Sequence, residues 1–191
     1  MQNNKIWELI KPIVVLTAIA ALMAALLGGT NLLTSERIEK LEKETQLKAV
    51  KNVLSADNFI QFQMNFEGKP YQYFKGLDKN NTVVGYAFTL SANGYGGLVK
   101  TVVGIDTKGK IAAVEIIDVS NETPGLGQNA NRSSFTNQFK DKNSPLTVKN
   151  SNPKENEIKA VTGATITSTA VTNTVNLALE LFEELKKEGA K

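Results

Sequence analysis

Histidine and cysteine are both absent from this chain of 191 residues. The chain therefore has no histidine general base and no thiol nucleophile, and it cannot form a disulfide, a zinc site or an iron–sulfur cluster on its own thiolates. A Ser–Lys hydrolase is chemically allowed, but no spacing of those residues favours one. A basic patch is also missing, because the formal charge is only +3 and lysine and glutamate are interleaved, which argues against nucleic-acid binding.

A long run without charge is present near the start of the chain, at residues 13–33. As a helix it is long enough to cross about 30 Å of hydrocarbon. Lys5, Trp7 and Lys11 precede it, where interfacial anchors belong. We therefore predict a membrane anchor over residues 1–33. A cleaved signal peptide fits less well, because its apolar core would be shorter and no small-residue cleavage site follows the run.

Residues 34–57 are predicted to form a connecting helix. Apolar residues at mostly helical spacing alternate there with glutamate and lysine, and Thr34 or Ser35 is placed to cap the helix before Glu36. Opposite charges can pair along the faces of such a helix, so the charge pattern needs no partner to explain it. The lysines and arginines near the two ends of residues 13–33 are too evenly divided to decide its orientation.

From residue 59 the hydrophobic period changes to that of a β-sheet. Alternating and β-branched runs predict five strands at residues 59–66, 71–74, 82–90, 98–105 and 111–119, with a hairpin turn at 106–109. A helix carrying Phe135 and Phe139 is predicted over residues 130–140, followed by a loop through Asn152 and a short strand near 158–161. The fold class is therefore α+β, with a mostly antiparallel sheet and packed helices over residues 58–191.

A hydroxyl-rich turn at residues 161–168 leads into the last helix. Val171, Val175 and Phe182 lie at helical spacing and predict an amphipathic helix over about residues 168–187. The N-terminus of a helix presents unpaired N–H groups and the positive end of the dipole, which favour a phosphate. The alternative is that Thr167 or Ser168 only caps the helix. No Gly-Lys-Ser/Thr follows, so the turn is no Walker loop.

Two glycine-rich loops, at residues 93–97 and 121–127, are the remaining candidates for a site. Sharp connections between strands are the commoner reason for glycine and proline. Three loops with exposed backbone in one small domain nevertheless suggest a shared pocket.

In their order, four motifs resemble the FMN-binding domain of the G subunit of Rnf complexes and of its relative, the C subunit of the sodium-translocating NADH:quinone reductase. The motifs are Gly-Tyr-Gly-Gly at 94–97, Val-Gly-Ile-Asp at 103–106, Glu-Thr-Pro-Gly-Leu-Gly at 122–127 and Thr-Gly-Ala-Thr at 162–165. With the N-terminal membrane helix included, the resemblance covers essentially the whole chain.

The resemblance implies that FMN is held covalently, through a phosphoester on Thr165 made by a separate flavin transferase. The implied flavin-binding residues beside it are Thr162, Gly163, Ala164 and Thr167 of the same turn, and Tyr95, Gly96, Glu122, Thr123 and Leu126 of the two glycine-rich loops. Tyr95 and Leu126 are expected as apolar walls and Glu122 as a polar contact. Lys159 stands where the family's attachment motif usually begins with an acidic residue.

The resemblance also implies a role as one electron relay of a membrane complex. The partners would be the other Rnf subunits. The overall reaction would be electron transfer between reduced ferredoxin and NAD, and it would be coupled to the movement of sodium ions or protons across the membrane. The flavin domain would lie on the extracytoplasmic side. Because residues 13–33 contain no ionisable group, ion translocation would reside mainly in the partners.

Three alternatives remain open. The chain could be the C subunit of the quinone reductase, although that family is usually longer. It could be a membrane-anchored scaffold without a cofactor, which would be colourless rather than yellow. It could also be a reductase that binds FMN non-covalently, but no nicotinamide-binding glycine fingerprint lies between a strand and a helix.

Overall fold

The computed structural model describes residues 2–143 and 145–189, with the side chains of residues 2–6 and 188 outside that description. The side chain of Lys5, predicted as an anchor, and the last two residues of the predicted domain therefore lie outside the described residues. The chain divides into two compact units, Met1–Glu44 and Thr45–Lys191.

The first unit is built from helix α1, which runs without a break over Gln2–Val53 and continues into the second unit. Within α1 the apolar part has a mean hydropathy of 2.3, which makes the helix long and apolar enough to cross a membrane. The apolar side chains of residues 13–33 are exposed on all sides, as expected for contact with lipid rather than with a protein core.

The predicted helix start at Thr34 or Ser35 is wrong. Thr34 Oγ1 donates a hydrogen bond to the carbonyl oxygen of Thr30 at 2.8 Å, and Ser35 Oγ donates to that of Leu32 at 3.1 Å. Hydroxyls that bond to the preceding turn in this way are compatible with a continuing helix. The predicted charge pairing is present further on, where Lys43 Nζ lies 2.6 Å from Glu39 Oε1 and lowers the pKa of Glu39.

The second unit contains a five-stranded antiparallel sheet in which each strand pairs with the next along the chain. The strands are β1 (Asn58–Phe66), β2 (Lys69–Leu77), β3 (Val83–Asn93), β4 (Leu98–Asp106) and β5 (Ile111–Asp118). The five predicted strands and the α+β fold class are confirmed. The hairpin turn between β4 and β5 is confirmed too, with Gly109 at a φ of +84°.

One face of the sheet packs on the last helix, α3 (Thr165–Gly189). Tyr73, Phe88 and Val103 lie opposite one another on neighbouring strands and share a buried cluster with the apolar side of α3. Phe182 of α3 reaches Tyr86 with its ring centroid 5.7 Å from that of the tyrosine. This apolar packing holds α3 across the middle of the sheet.

The other face of the sheet packs on the end of α1. Ala49, Val50 and Val53 are buried with Phe74 and Val102 in a second cluster. The predicted connecting helix is therefore solvated only in part, and the compact unit begins at Thr45 rather than at residue 58. The apolar residues of its last turns were visible in the sequence, but the sheet face they cover was not.

The predicted helix over residues 130–140 is divided into short pieces. A 3₁₀ turn at Gly127–Asn131 is followed by α2 (Ser133–Thr136) and a second 3₁₀ turn at Asn137–Phe139. Arg132 separates the first two with an extended backbone, at φ −79° and ψ 143°. Phe135 and Phe139, which the predicted helix carries, are buried, with ring centroids 5.5 Å apart.

Two short parallel strands, β6 (Thr147–Lys149) and β7 (Glu157–Lys159), precede α3. The predicted strand near residues 158–161 corresponds to β7, which begins and ends slightly earlier. Strand β6 was not predicted, because three residues are too few to show a hydrophobic period.

We expect Gly104→Ala to destabilise the second unit. A Cβ at this position of β4 would overlap the carbonyl oxygen of Val53, so the backbone of α1 would have to move away from the sheet. Overpacking of this kind costs about 1–3 kcal/mol. Thermal unfolding in detergent, followed by circular dichroism, should show a lower midpoint. Gly189→Ala, where an added Cβ meets nothing within 4 Å, is the control and should leave the midpoint unchanged.

Candidate functional site

Glu122 connects three segments that are distant in the sequence. Its side chain is only 2% exposed, and its Oε1 atom accepts a hydrogen bond from the backbone N–H of Gly96 at 3.0 Å. Its Oε2 atom accepts a hydrogen bond of 2.6 Å from Oγ1 of Thr167, which is itself fully buried. One carboxyl group thus joins the loop at 94–97, the loop at 122–127 and the first turn of α3.

The glycines around Glu122 are required by close approach. A Cβ on Gly94 or on Gly127 would collide with the carboxyl oxygens of Glu122, and a Cβ on Gly96 would collide with the carbonyl oxygen of Asn121. The glycine content that marked these loops in the sequence therefore has a steric cause. The three loops come together, and a buried carboxyl group lies at their junction.

The loop of Glu122 is fixed where it leaves β5. Asp118 Oδ1 accepts hydrogen bonds from the backbone N–H and from the hydroxyl of Ser120, at 2.9 and 2.7 Å. These hydrogen bonds, together with the charge of Lys100, lower the pKa of Asp118. An aspartate that bonds two residues onward is typical of a tight turn.

Helix α3 begins at Thr165, three residues earlier than predicted. The backbone N–H of Ser168 donates to the carbonyl oxygen of Ala164 at 3.0 Å, which is the first bond of the helix. Ser168 Oγ accepts from the backbone N–H of Val161 at 3.0 Å, and the Thr167 hydroxyl bonds to Glu122. Neither side chain caps the helix, so that alternative is wrong.

The first residue of α3 presents an exposed hydroxyl. Thr165 Oγ1 donates a hydrogen bond to Oδ1 of Asn150 at 3.2 Å. Within residues 2–143 and 145–189, the backbone N–H groups of Thr165, Ile166 and Thr167 have no hydrogen-bond acceptor. A nucleophilic oxygen therefore stands beside unpaired N–H groups and the positive end of the helix dipole.

A cleft of about 540 Å³ opens next to this turn. It is lined by Gly125, Leu126, Asn129, Arg132, Ser134, Phe135, Gln138, Lys159, Ala160, Val161 and Thr162. Gly163 adjoins it with a φ of +75°, and a Cβ there would lie 2.9 Å from Cδ2 of Leu126. The cleft combines apolar walls with amide side chains and two cations, and its volume falls within the range of about 300–1,000 Å³ typical of ligand sites.

The structure places the predicted site residues in three different environments. Thr162 and Leu126 line the cleft, and Thr165, Gly163 and Thr123 are exposed close by in sequence. Glu122, Thr167 and Ala164 are buried, so a direct contact of Glu122 with a flavin ring stays a prediction. Tyr95 is 73% exposed and is not among the residues that line the cleft, and Gly96 is held by its N–H to Glu122.

Sequence reasoning missed three residues of this region. Asn150 accepts the hydrogen bond from Thr165, and Arg132 and Gln138 line the cleft. None of them belongs to a motif, and no spacing in the sequence connects them to the turn at 162–165.

Known proteins are similar to this chain in sequence and in fold. The chain matches the FMN-binding domain family over residues 94–180. It is 34% identical to the G subunit of the proton-translocating ferredoxin:NAD(+) oxidoreductase complex of Clostridium ljungdahlii, over 93% of this chain and 92% of that protein. It is also 34% identical to the G subunit of the Na(+)-translocating ferredoxin:NAD(+) oxidoreductase complex of Acetobacterium woodii, over 91% of each chain.

Solved structures show the same fold. NqrC of Shewanella oneidensis matches with a TM-score of 0.53 at 15% identity, over 71% of this chain and 73% of that one. The C subunit of the Na(+)-translocating NADH-quinone reductase from Parabacteroides distasonis matches with a TM-score of 0.52 at 22% identity, over 63% and 73%.

The sheet, the three loops that meet at Glu122 and the family match together define an FMN-binding domain behind an apolar N-terminal helix. The sequence identity of 34% over more than nine-tenths of the chain identifies the family more narrowly. The chain belongs to the family of the G subunits of the ion-translocating oxidoreductase complexes, the Rnf complexes, and the resemblance seen in its motifs is confirmed.

We expect Thr167→Val to loosen the junction of the three loops. Valine has nearly the shape of threonine but removes the donor to Glu122, and a buried oxygen left without its donor costs about 1–3 kcal/mol. Thermal unfolding should show the loss. Thr169→Val, two residues onward on the exposed side of α3, is the matched control and should change stability little. Equal midpoints for both variants would show that the Thr167–Glu122 hydrogen bond contributes nothing measurable.

Proposed function

We propose that FMN is attached to Thr165 through a phosphoester and that the chain relays electrons within an ion-translocating ferredoxin:NAD oxidoreductase complex. The observation that carries the proposal is the exposed Thr165 hydroxyl at the first residue of α3, beside unpaired backbone N–H groups. The family match to an FMN-binding domain and the names of the most similar relatives support it.

The residues present fit the phosphate of FMN. A phosphate esterified to Thr165 keeps a negative charge, and the unpaired N–H groups at residues 165–167 favour an anion there. Gly163 is exposed and has no side chain that could block the incoming group. Asn150 Oδ1 orients the Thr165 hydroxyl by accepting a hydrogen bond from it.

The cleft fits the rest of the flavin. Leu126, Phe135 and Val161 supply apolar surface for a ring system, and Asn129 supplies an amide group for its polar edge. The cleft begins at Thr162, three residues before the attachment site, so the ribityl chain would run along the turn towards it. The redox chemistry is that of FMN, which passes electrons singly or in pairs, and the protein contributes position and electrostatics.

Attachment requires an activated donor. A flavin transferase would supply the flavin phosphate from an activated flavin nucleotide, and Thr165 Oγ1 would form the bond to phosphorus. The hydroxyl would lose its proton, and the remainder of the activated nucleotide would leave. Relative to free FMN, the finished chain carries the cofactor minus one water.

The partners proposed for the chain are the other subunits of the complex. The two relatives described above are each named as the G subunit of a complex that couples ferredoxin and NAD(+) to ion translocation. The described part of this chain has one helix able to cross a membrane, and no ionisable residue lies within residues 13–33. The proposal therefore gives this subunit the electron relay and leaves ion movement to its partners.

We expect the intact chain from native membranes to carry one FMN minus one water by mass spectrometry. Thr165→Ala should lose the whole adduct, because no hydroxyl remains to form the ester. Thr162→Ala, which removes the other threonine of the motif, should keep it and serves as the matched control. An adduct retained in Thr165→Ala would place the attachment elsewhere, and its absence from the unaltered chain made together with a competent transferase would refute covalent attachment.

We further propose that the flavin domain lies on the extracytoplasmic side, as the family resemblance implies. The chain contains no cysteine, so a single introduced thiol can be labelled without background. In intact cells a membrane-impermeant maleimide should label Lys108→Cys, on the exposed turn between β4 and β5, and should label Gln2→Cys only after lysis. The reverse pattern would place the domain in the cytoplasm.

A further inference from the structure

The cleft beside the attachment turn carries only positive charge. Arg132 and Lys159 are the two ionisable side chains among its lining residues, and none of the described residues that line it is acidic. Both side chains are exposed, and within residues 2–143 and 145–189 neither makes a side-chain hydrogen bond or ion pair. Two cations without an internal partner therefore face the same space.

The backbone holds both cations at the cleft. The side-chain amide of Gln138 bonds twice to Lys159, accepting from its N–H at 2.8 Å and donating to its carbonyl oxygen at 3.2 Å. The backbone of Arg132 donates to Asn129 at 3.1 Å and accepts from Phe135 at 2.9 Å. Their positions are thus set by main-chain bonds, while the charged ends stay free for a ligand.

An anion in the cleft would be a different anion from the phosphate. Thr165, the proposed phosphate carrier, is not among the residues that line the cleft, and the phosphate has the N–H groups of the first turn of α3. The cleft instead joins the two cations to the apolar surface of Leu126, which suits a ring. On reduction, a flavin ring takes up two electrons and one proton and so gains one negative charge.

On the basis of the proposed function, we propose that Arg132 and Lys159 stabilise the negative charge of the reduced flavin ring and thereby raise its midpoint potential. Positive charge near the pyrimidine edge of a flavin is a recognised means of tuning its electronics. The electrons come from the one-electron carriers of the partner subunits and the proton from solvent. Both residues act on the potential by position and charge, and neither takes part in a bond change.

The test is a reductive titration of the flavin-loaded chain with dithionite as the electron donor. Arg132→Gln, Lys159→Gln and the double variant should each lower the midpoint potential, most in the double variant. Removing one charge a few ångströms from the ring should change the equilibrium constant for reduction by about tenfold. For a two-electron couple a tenfold change corresponds to about 30 mV.

Charge-conserving and remote variants provide the controls. Arg132→Lys and Lys159→Arg should keep the potential near that of the unaltered chain, which a merely structural role would not predict. Lys108→Gln removes the same charge beside Gly109, which packs against Phe182. That position lies about 25 Å along α3 from Thr165, beyond the range of screened surface charge, so the potential should not change.

The mass of each variant separates this inference from the proposed function. If the double variant carries the full FMN adduct and has the potential of the unaltered chain, the electrostatic role is refuted while covalent attachment stands. If its potential is unchanged but electron transfer with the partner subunits slows, the cations serve docking and the inference is likewise refuted. If the unaltered chain carries no adduct, both proposals fail together.

Discussion

The buried carboxyl group of Glu122 is the interaction on which the site depends. It accepts a backbone N–H from Gly96 and the Thr167 hydroxyl, and so it fixes two loops to the first turn of α3. A buried carboxyl group is costly without such donors, which makes this arrangement cooperative: each loop supplies part of what keeps the others in place. This carboxyl group also explains why its neighbours are glycines, since Gly94 and Gly127 approach the carboxyl oxygens too closely for any Cβ.

Helix α3 links the core to the proposed chemistry. Val171, Val175 and Phe182 bury its apolar side against the sheet, so the position of its first residue is set by a large packed surface rather than by a loop. Thr165 therefore projects from a rigid element, while the cleft beside it is shaped by the irregular segment that contains α2. A tethered redox group benefits from this arrangement, because the distance to its partners depends on where the tether begins.

Similarity to the two relatives does not distinguish protons from sodium ions as the transported ion. The relatives from Clostridium ljungdahlii and Acetobacterium woodii are equally similar to this chain, at 34% identity, although one is named for protons and the other for sodium ions. Features shared with both are therefore not specific for the ion. This agrees with an uncharged helix at residues 13–33 and with a site whose only assigned chemistry is that of a flavin.

Much of the fold could be predicted from the sequence because strands, helices and turns depend on local residue patterns. Alternating and β-branched runs located the strands, the uncharged run located the apolar helix, and consecutive motif residues located the turn at 162–165. Other features depend on pairs that are distant in the chain. Burial of Val53 against the sheet, the bonds of Glu122 to Gly96 and Thr167, and the meeting of Arg132 with Lys159 in one cleft leave no periodic trace, because each contact is made only when separate segments pack. The sequence alone determined the five strands, the apolar helix and the place of the Thr165 hydroxyl in a motif, and the tertiary structure decided which side chains surround that hydroxyl.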